Sequence, residues 1–147
     1  MAELDFSPEV LLEQARGNET AFWHLALRWA REREGSADGW AEFVGEQFAP
    51  SWDELGERAS AREVARLAGL NAATTADMRP VELEGDDSRA ELVIEGPEEH
   101  WLARFGTTQE ESDRANELIF RAIATRRGLT LEMHRDGRGL HLVFARA

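Results

Sequence analysis

Few residues in this chain can do chemistry, because three reactive side-chain types are missing. The 147-residue sequence has no cysteine, lysine or tyrosine, so it offers no thiolate nucleophile, no Schiff-base amine and no phenolic acid. Without cysteine there is also neither a disulfide framework nor a thiolate metal site. Any catalysis must therefore use the four histidines, the carboxylates, the hydroxyl groups or the arginines.

The most suggestive constellation lies near the C-terminus, in a predicted hairpin. A two-residue turn at Asp136-Gly137 places Glu132, His134 and His141 on one sheet face. One histidine could act as a general base that Glu132 orients, or the three side chains could bind a divalent metal ion. A solvated polar strand face shows the same alternation. No spacing such as H-E-x-x-H accompanies the histidines, so the solvated strand face is the favoured interpretation. If the chain is an enzyme, we predict His134 or His141 as the general base and Glu132 as the residue that orients it, with no metal ion and no cofactor.

The other two histidines occur in the sequence before this hairpin. His24 lies between arginines on the polar face of a predicted helix, so we expect it at the surface. His100 precedes Trp101 at a junction between a loop and a helix, where functional residues often lie. We predict that His100 and Trp101 contribute to the mouth of a ligand pocket.

Aromatic residues are concentrated in the N-terminal half, which holds four of the five tryptophans. Such residues form core more often than pocket, but bulky rigid rings are hard to pack without gaps. Apolar cavities are common ligand sites, so we predict that Trp23 and Trp29 join Trp101 and His100 in binding a small apolar or aromatic molecule. An exposed tryptophan pair would equally fit a homodimer interface.

The elements that must position these residues are helices in residues 1–79 and a ββαββ unit in residues 80–147. Ser7-Pro8-Glu9 begins the first of four or five predicted helices, and Gly17 is expected to end it. The next helix, 18–34, has the stripe Phe22, Leu25, Ala26 and Trp29 as its predicted buried face. Further helices are predicted over 38–49, from Ser51 and from Ser60.

After Pro80 the apolar period changes from helical spacing to alternation. We predict a hairpin over 81–95, a helical turn over 100–105, a long helix that Thr108 caps and Gly128 ends, and a closing hairpin. The predicted fold class is therefore α+β in a single domain, 1–147. A four-stranded antiparallel sheet is expected to carry one long helix on one face.

Composition limits the partners. The net charge of −12 opposes the basic footprint that nucleic acid or an anionic membrane requires. No apolar run is long enough to span a bilayer, and residues 1–5 are acidic where a secretory signal would be basic. We therefore expect a cytoplasmic protein that contacts neither nucleic acid nor membrane.

Residues 61–74 carry a small residue in a helix and Gly69 where a turn would fall. This segment resembles the helix-turn-helix opening of LacI-type repressors. A recognition helix from Asn71 would meet Pro80 too soon, and it carries no basic side chain before Arg79. DNA binding is therefore the third alternative, and the net charge argues against it.

A second resemblance concerns the C-terminal half. The chain has a strand pair in 81–94, then Trp101 before a helix that ends at Arg127, and a closing hairpin in 129–144. This layout resembles the L-2-amino-thiazoline-4-carboxylic acid hydrolase-like family and the 4-vinyl reductase domains. Those families tend to carry a cysteine near the closing strand, which this chain lacks. The resemblance implies a small-molecule pocket under the helices and transfers no catalytic residue.

These observations favour a small-molecule-binding domain with a tryptophan-rich apolar pocket between helices and sheet. If the chain is an enzyme, we expect a cofactor-independent hydrolase or isomerase. The alternative is a non-catalytic homodimeric interaction or regulatory protein.

Overall fold

A computed structural model describes residue 4 and residues 6–147; most of the N-terminal segment 1–5, on which the absence of a secretory signal was predicted, lies outside the described residues. The described residues confirm the predicted α+β class, with helices preceding a ββαββ unit. The helices are α1 (Pro8–Glu34), α2 (Asp38–Phe48), a 3-10 helix (Ala49–Leu55), α3 (Ala61–Ala73), α4 (Glu99–Phe105) and α5 (Gln109–Arg126). The strands are β1 (Arg79–Gly85), β2 (Arg89–Glu95), β3 (Leu129–Asp136) and β4 (Gly139–Arg146).

The first helix differs from its prediction in length. Residues 8–34 form one helix that Ser7 caps and Gly35 ends, so the predicted break at Gly17 is wrong. A Cβ atom at Gly17 would meet only Cη2 of Trp101, at 3.9 Å. Gly17 has helical geometry within α1, and an alanine there would make only an ordinary contact with α4.

The first helix also differs in which face it buries. Its buried residues are Thr20, His24, Leu27 and Ala30. The predicted apolar stripe instead points largely outward, with Phe22 72% and Trp29 56% exposed. Both predictions for this helix, a surface His24 and a buried Phe22 stripe, are wrong. The reason is that Thr20 and His24 find hydrogen-bond partners from distant segments, which compensate for the burial of their polar atoms.

Helix α3 begins where its N-cap residue, Ser60, predicts. The Ser60 hydroxyl accepts a hydrogen bond from the Glu63 backbone N–H, and α3 then continues without interruption through Gly69 to Ala73. A Cβ at Gly69 would lie 3.2 Å from Leu92, so this glycine permits close packing of α3 on the sheet. Because 61–73 is one helix, the turn that a helix-turn-helix motif needs is not formed there. The helix predicted from Ser51 is a 3-10 helix that begins at Ala49, and the Ser51 hydroxyl donates to the backbone carbonyl of Phe48, the last residue of α2.

The sheet is antiparallel throughout, with strand order β1-β2-β4-β3. In the closing hairpin Asp136 pairs with Gly139, so the two loop residues are Gly137 and Arg138, one position later than predicted. This register places His134 directly opposite His141.

The two sheet faces have different neighbours. One face packs against α3 and α5 and contributes Leu92, Ile94, Leu142 and Phe144 to the main core. The opposite face, here called the outer face, carries Glu91, Glu132, His134 and His141, together with the buried Val93 and Val143. None of the helices in the described part of the chain is long and apolar enough to cross a membrane.

Candidate functional site

A cavity of about 800 Å³ lies between the helices and the core face of the sheet. Its volume falls in the usual range of ligand pockets, about 300–1,000 Å³. The central strands form its floor, and α1, α2, α3 and α5 contribute its walls. The residues that line it are mostly apolar: among them are Phe22, Trp23, Ala26, Trp40, Val44, Phe48, Trp52, Ala72, Met78, Ile94, Ile119, Phe120, Ile123, Leu140 and Leu142.

Three tryptophans line this cavity in fixed orientations. Trp23 and Trp40 pack edge to face with ring centroids 5.5 Å apart, and Trp52 packs in the same manner on Phe120 at 6.4 Å. The Trp23 indole N–H donates to the Ser112 hydroxyl at 3.2 Å, which satisfies the polar atom of that ring. The aromatic walls are therefore held by packing and by a hydrogen bond, as a pre-formed pocket requires.

The cavity wall includes a buried carboxylate, Asp77, which forms a hydrogen bond with His24. Asp77 lines the cavity, and its Oδ2 lies 2.7 Å from Nε2 of His24. Since an ionised carboxylate only accepts, Nε2 donates this bond. The other ring nitrogen, Nδ1, lies 2.8 Å from the Thr107 hydroxyl, which donates to it when the ring is neutral.

The order of these three groups limits the chemistry they can do. In serine hydrolases a nucleophilic hydroxyl is activated by the same series of hydrogen-bonded groups, a hydroxyl, an imidazole and a carboxylate. In this protein, however, Asp77 lines the cavity, while the buried Thr107 hydroxyl does not. The group presented to a bound molecule is therefore an acceptor, suited to holding a hydrogen-bond donor.

The charges around the cavity also limit which ligands it can bind. Asp77 and Glu19 are its charged lining residues, and no arginine is among the described residues that line it. An anion beside the buried Asp77 carboxylate would be repelled more strongly than in water, whereas the exposed Glu19 contributes less. The remaining polar side chains are the amides Asn18, Asn71 and Asn116 and the hydroxyl of Thr75. The cavity therefore suits neutral or cationic molecules.

Of the predicted pocket residues, Trp23 lines this cavity, and Trp29, His100 and Trp101 lie outside it. The exposed Trp29 ring carries the Arg33 guanidinium 4.6 Å above its centroid. Trp101 stacks on Phe105, which in turn stacks on His24. His100 is solvent-exposed and lies 3.3 Å from Glu98. Trp101 therefore packs on the side chain that supports His24, whereas Trp29 and His100 lie on the outer surfaces of α1 and α4.

The predicted catalytic histidines lie on the outer sheet face, away from the cavity. His134 and His141 stack with ring centroids 4.4 Å apart. Nδ1 of His141 lies 2.5 Å from Glu91, and its Nε2 lies 2.8 Å from Asp136. Among the described residues no hydrogen bond joins Glu132 to either ring, so the orienting carboxylates are Glu91 and Asp136.

The two carboxylates alter the protonation of His141. The hydrogen bond to Glu91, supported by Asp136, raises the pKa of His141 above its usual value even though burial acts in the opposite direction. The pKa of Asp136 is lowered in turn, mainly by the Arg138 backbone N–H and then by His141. Both carboxylates therefore stabilise the charged form of His141 relative to the neutral form.

Comparisons of this chain with protein-family models, with curated proteins and with solved structures found no match. The assignment of function therefore rests on the geometry of the cavity and of the histidine cluster.

The sequence did not reveal two residues of the candidate sites, Asp77 and Glu91. Asp77 had no signal, because it falls in an irregular segment between α3 and β1, fifty-three residues from His24. Glu91 belongs to the strand next to the His hairpin, and only the pairing of Glu91 with Val143 reveals its proximity to His141. The sequence did not predict the strand order, so it could not place Glu91 beside His141.

Proposed function

We propose that this protein binds a small apolar or aromatic molecule in the cavity between α1, α2, α5 and the sheet. The observation that carries the proposal is an apolar cavity of about 800 Å³ with the buried carboxylate Asp77 on its wall. The cavity is open to solvent, since Phe22 and Phe48 in its lining are 72% and 55% exposed. A bound molecule would remove this apolar surface from water.

The chemistry of the wall defines the ligand class. Aromatic edges and faces from Trp23, Trp40 and Trp52 favour a flat ring system. The Oδ1 atom of Asp77 receives no hydrogen bond from the part of the chain that the structure describes. A ligand with one donor, such as an amine or hydroxyl, would satisfy this atom, whereas a carboxylate would face repulsion. We therefore expect an aromatic amine or alcohol, and we expect binding rather than turnover.

Thermal unfolding with matched indole probes tests this proposal. Tryptamine, indole and indole-3-acetate share one ring system and differ in charge. We expect tryptamine to raise the melting temperature most, indole less, and indole-3-acetate not at all. A ligand at one hundred times its Kd adds about 2.7 kcal/mol to the free energy of unfolding.

The variant D77N separates charge recognition from cavity shape. It keeps the side-chain size and removes the charge, so the preference for tryptamine over indole should disappear while indole still binds. If tryptamine stabilises D77N as strongly as the unmodified chain, Asp77 is not the anchor. If no probe stabilises the unmodified protein, the proposed ligand class is wrong.

A second candidate function, homodimerisation, is favoured by the outward face of α1. Its exposed positions follow one another at alternating steps of four and three, the spacing of a coiled-coil seam. These residues are Leu11, Ala15, Asn18, Phe22, Leu25 and Trp29. Such a stripe normally marks an interaction surface, and the step pattern matches a second copy of the same helix.

Light scattering after size exclusion tests this second candidate. We expect the unmodified chain to elute as a dimer and L25D to elute as a monomer, because a charge in the seam would be buried without a partner. L70D is the control, since Leu70 is a similarly exposed leucine on α3 and lies outside the seam. A monomeric unmodified chain, or a dimer that L25D leaves intact, would rule out this seam.

A further inference from the structure

The outer sheet face brings together three groups that the hairpin alone does not contain. Glu91 of β2, His134 of β3 and His141 of β4 each offer one ligand atom, and these atoms lie within 4.8 Å of one another. They come from three adjacent strands, so the hydrogen-bonded sheet fixes their backbones. This set is independent of the cavity, because it lies on the opposite face of the sheet.

We propose that Glu91, His134 and His141 form a binding site for a divalent transition-metal ion of the zinc class. Two imidazoles and one carboxylate are ligands that zinc accepts, whereas magnesium and calcium prefer oxygen alone. With three protein ligands, the fourth tetrahedral position is open to water.

Each ring nitrogen of His141 lies beside a carboxylate, and the two carboxylates can have different roles. Asp136 lies 2.8 Å from Nε2, so this nitrogen can keep its proton and donate to Asp136 when a metal ion replaces the proton on Nδ1. Nδ1 is the nitrogen that faces Glu91 at 2.5 Å. A carboxylate that holds the far nitrogen of a metal-binding histidine is the usual arrangement around zinc. Asp136 is therefore a positioning residue for His141.

The movement that a metal ion would require is small. Ligand atoms around a tetrahedral zinc ion lie about 3.3 Å apart, given bonds of about 2.0 Å. Glu91 and Nδ1 must therefore separate slightly, and His134 must approach by rotation of its side chain. His134 is exposed and its ring stacks on His141, whereas His141 is only 4% exposed and lies beside a carboxylate at each nitrogen. The exposed imidazole is therefore the one that would reorient to close on an ion.

Calorimetric titration of the full chain with zinc chloride near neutral pH, after removal of metal with EDTA, tests the proposal. We expect one zinc ion per chain and no heat from magnesium chloride. H134A and E91Q should each weaken binding by at least about tenfold, since loss of even an outer-shell partner commonly costs that much. His134 and Glu91 are not core residues, so both variants should fold.

Two variants serve as matched controls. H100A removes an exposed histidine on α4 that is not in the cluster, and E132Q removes a carboxylate on the same sheet face that is not among the three ligands. Both should bind zinc as the unmodified chain does. Cobalt(II) gives a second readout, because tetrahedral coordination produces strong visible absorption that H134A should abolish. Absence of zinc binding, or zinc binding that H134A and E91Q leave unchanged, would overturn the proposal.

Discussion

His24 illustrates how a polar side chain becomes part of a core when both of its ring nitrogens are satisfied. The residue is fully buried, with Asp77 on one nitrogen and Thr107 on the other. Unsatisfied buried polar atoms cost about 1–3 kcal/mol each, so the ring can be buried only with both partners present. The three residues join α1, the segment before β1 and the segment before α5, and together they orient Asp77 towards the cavity.

Replacement of Thr107 by valine should therefore destabilise the protein. The substitution keeps the side-chain shape but leaves Nδ1 of His24 without its partner, at an expected cost of about 1–3 kcal/mol in the free energy of unfolding. Urea denaturation at neutral pH measures this cost. The control is T130V, because Thr130 is exposed in a strand and its change should stay within about 0.5 kcal/mol. Equal stability of T107V and T130V would mean that the Thr107 hydroxyl contributes nothing to the burial of His24.

At the scale of elements, the sequence predicts best where the signal is local. Ser60 and Thr108 cap their helices through backbone N–H groups three residues on, and both helix starts were predicted correctly. The two hairpins were also predicted, since alternation and turn residues lie close together in the chain. Such elements contain in a short segment all the interactions that define them.

The first helix was predicted less well because its orientation depends on distant residues. Its apolar stripe suggested that Phe22 and Trp29 are buried, but the partners of His24 lie fifty-three and eighty-three residues away in sequence. These tertiary hydrogen bonds override the local amphipathic pattern. The cavity shows the same limit of local patterns. Tryptophans in the N-terminal half predicted an apolar pocket, but nothing near Asp77 in sequence predicted that this residue lines it.

Two glycines give an element-scale test in which the same substitution should have opposite effects. Both lie inside helices, where alanine is normally favoured by about 0.5–1 kcal/mol. A Cβ at Gly17 would make an ordinary contact at 3.9 Å, so G17A should stabilise the protein. A Cβ at Gly45 would lie 3.0 Å from Ala122 and 3.1 Å from the Ile119 backbone, so G45A should destabilise it by about 1–3 kcal/mol.

Thermal and urea unfolding of both variants measure this contrast. Destabilisation by G17A would contradict the continuous α1, since a helix that ends at Gly17 needs glycine there. A stabilising G45A would contradict the close contact between α2 and α5.

In the whole molecule, the cavity and the outward face of α1 share Phe22. This residue lines the cavity and is also the most exposed aromatic ring of the seam, at 72%. A second copy bound along α1 would therefore cover part of the cavity mouth, so that dimerisation and ligand binding would be linked. The net charge of −12 favours neutral or cationic ligands over anionic ones at the cavity.

The central claim, that the cavity binds a small aromatic molecule, is tested most directly by calorimetric titration of tryptamine into the unmodified chain, A72W and A103W. Ala72 lines the cavity, and Ala103 is an exposed position on α4 outside it, so each variant places the same bulky ring on a helix. The account predicts that A72W loses binding because its ring fills the cavity, while A103W binds as the unmodified chain does. Equal binding by all three proteins, or binding by none, would contradict it.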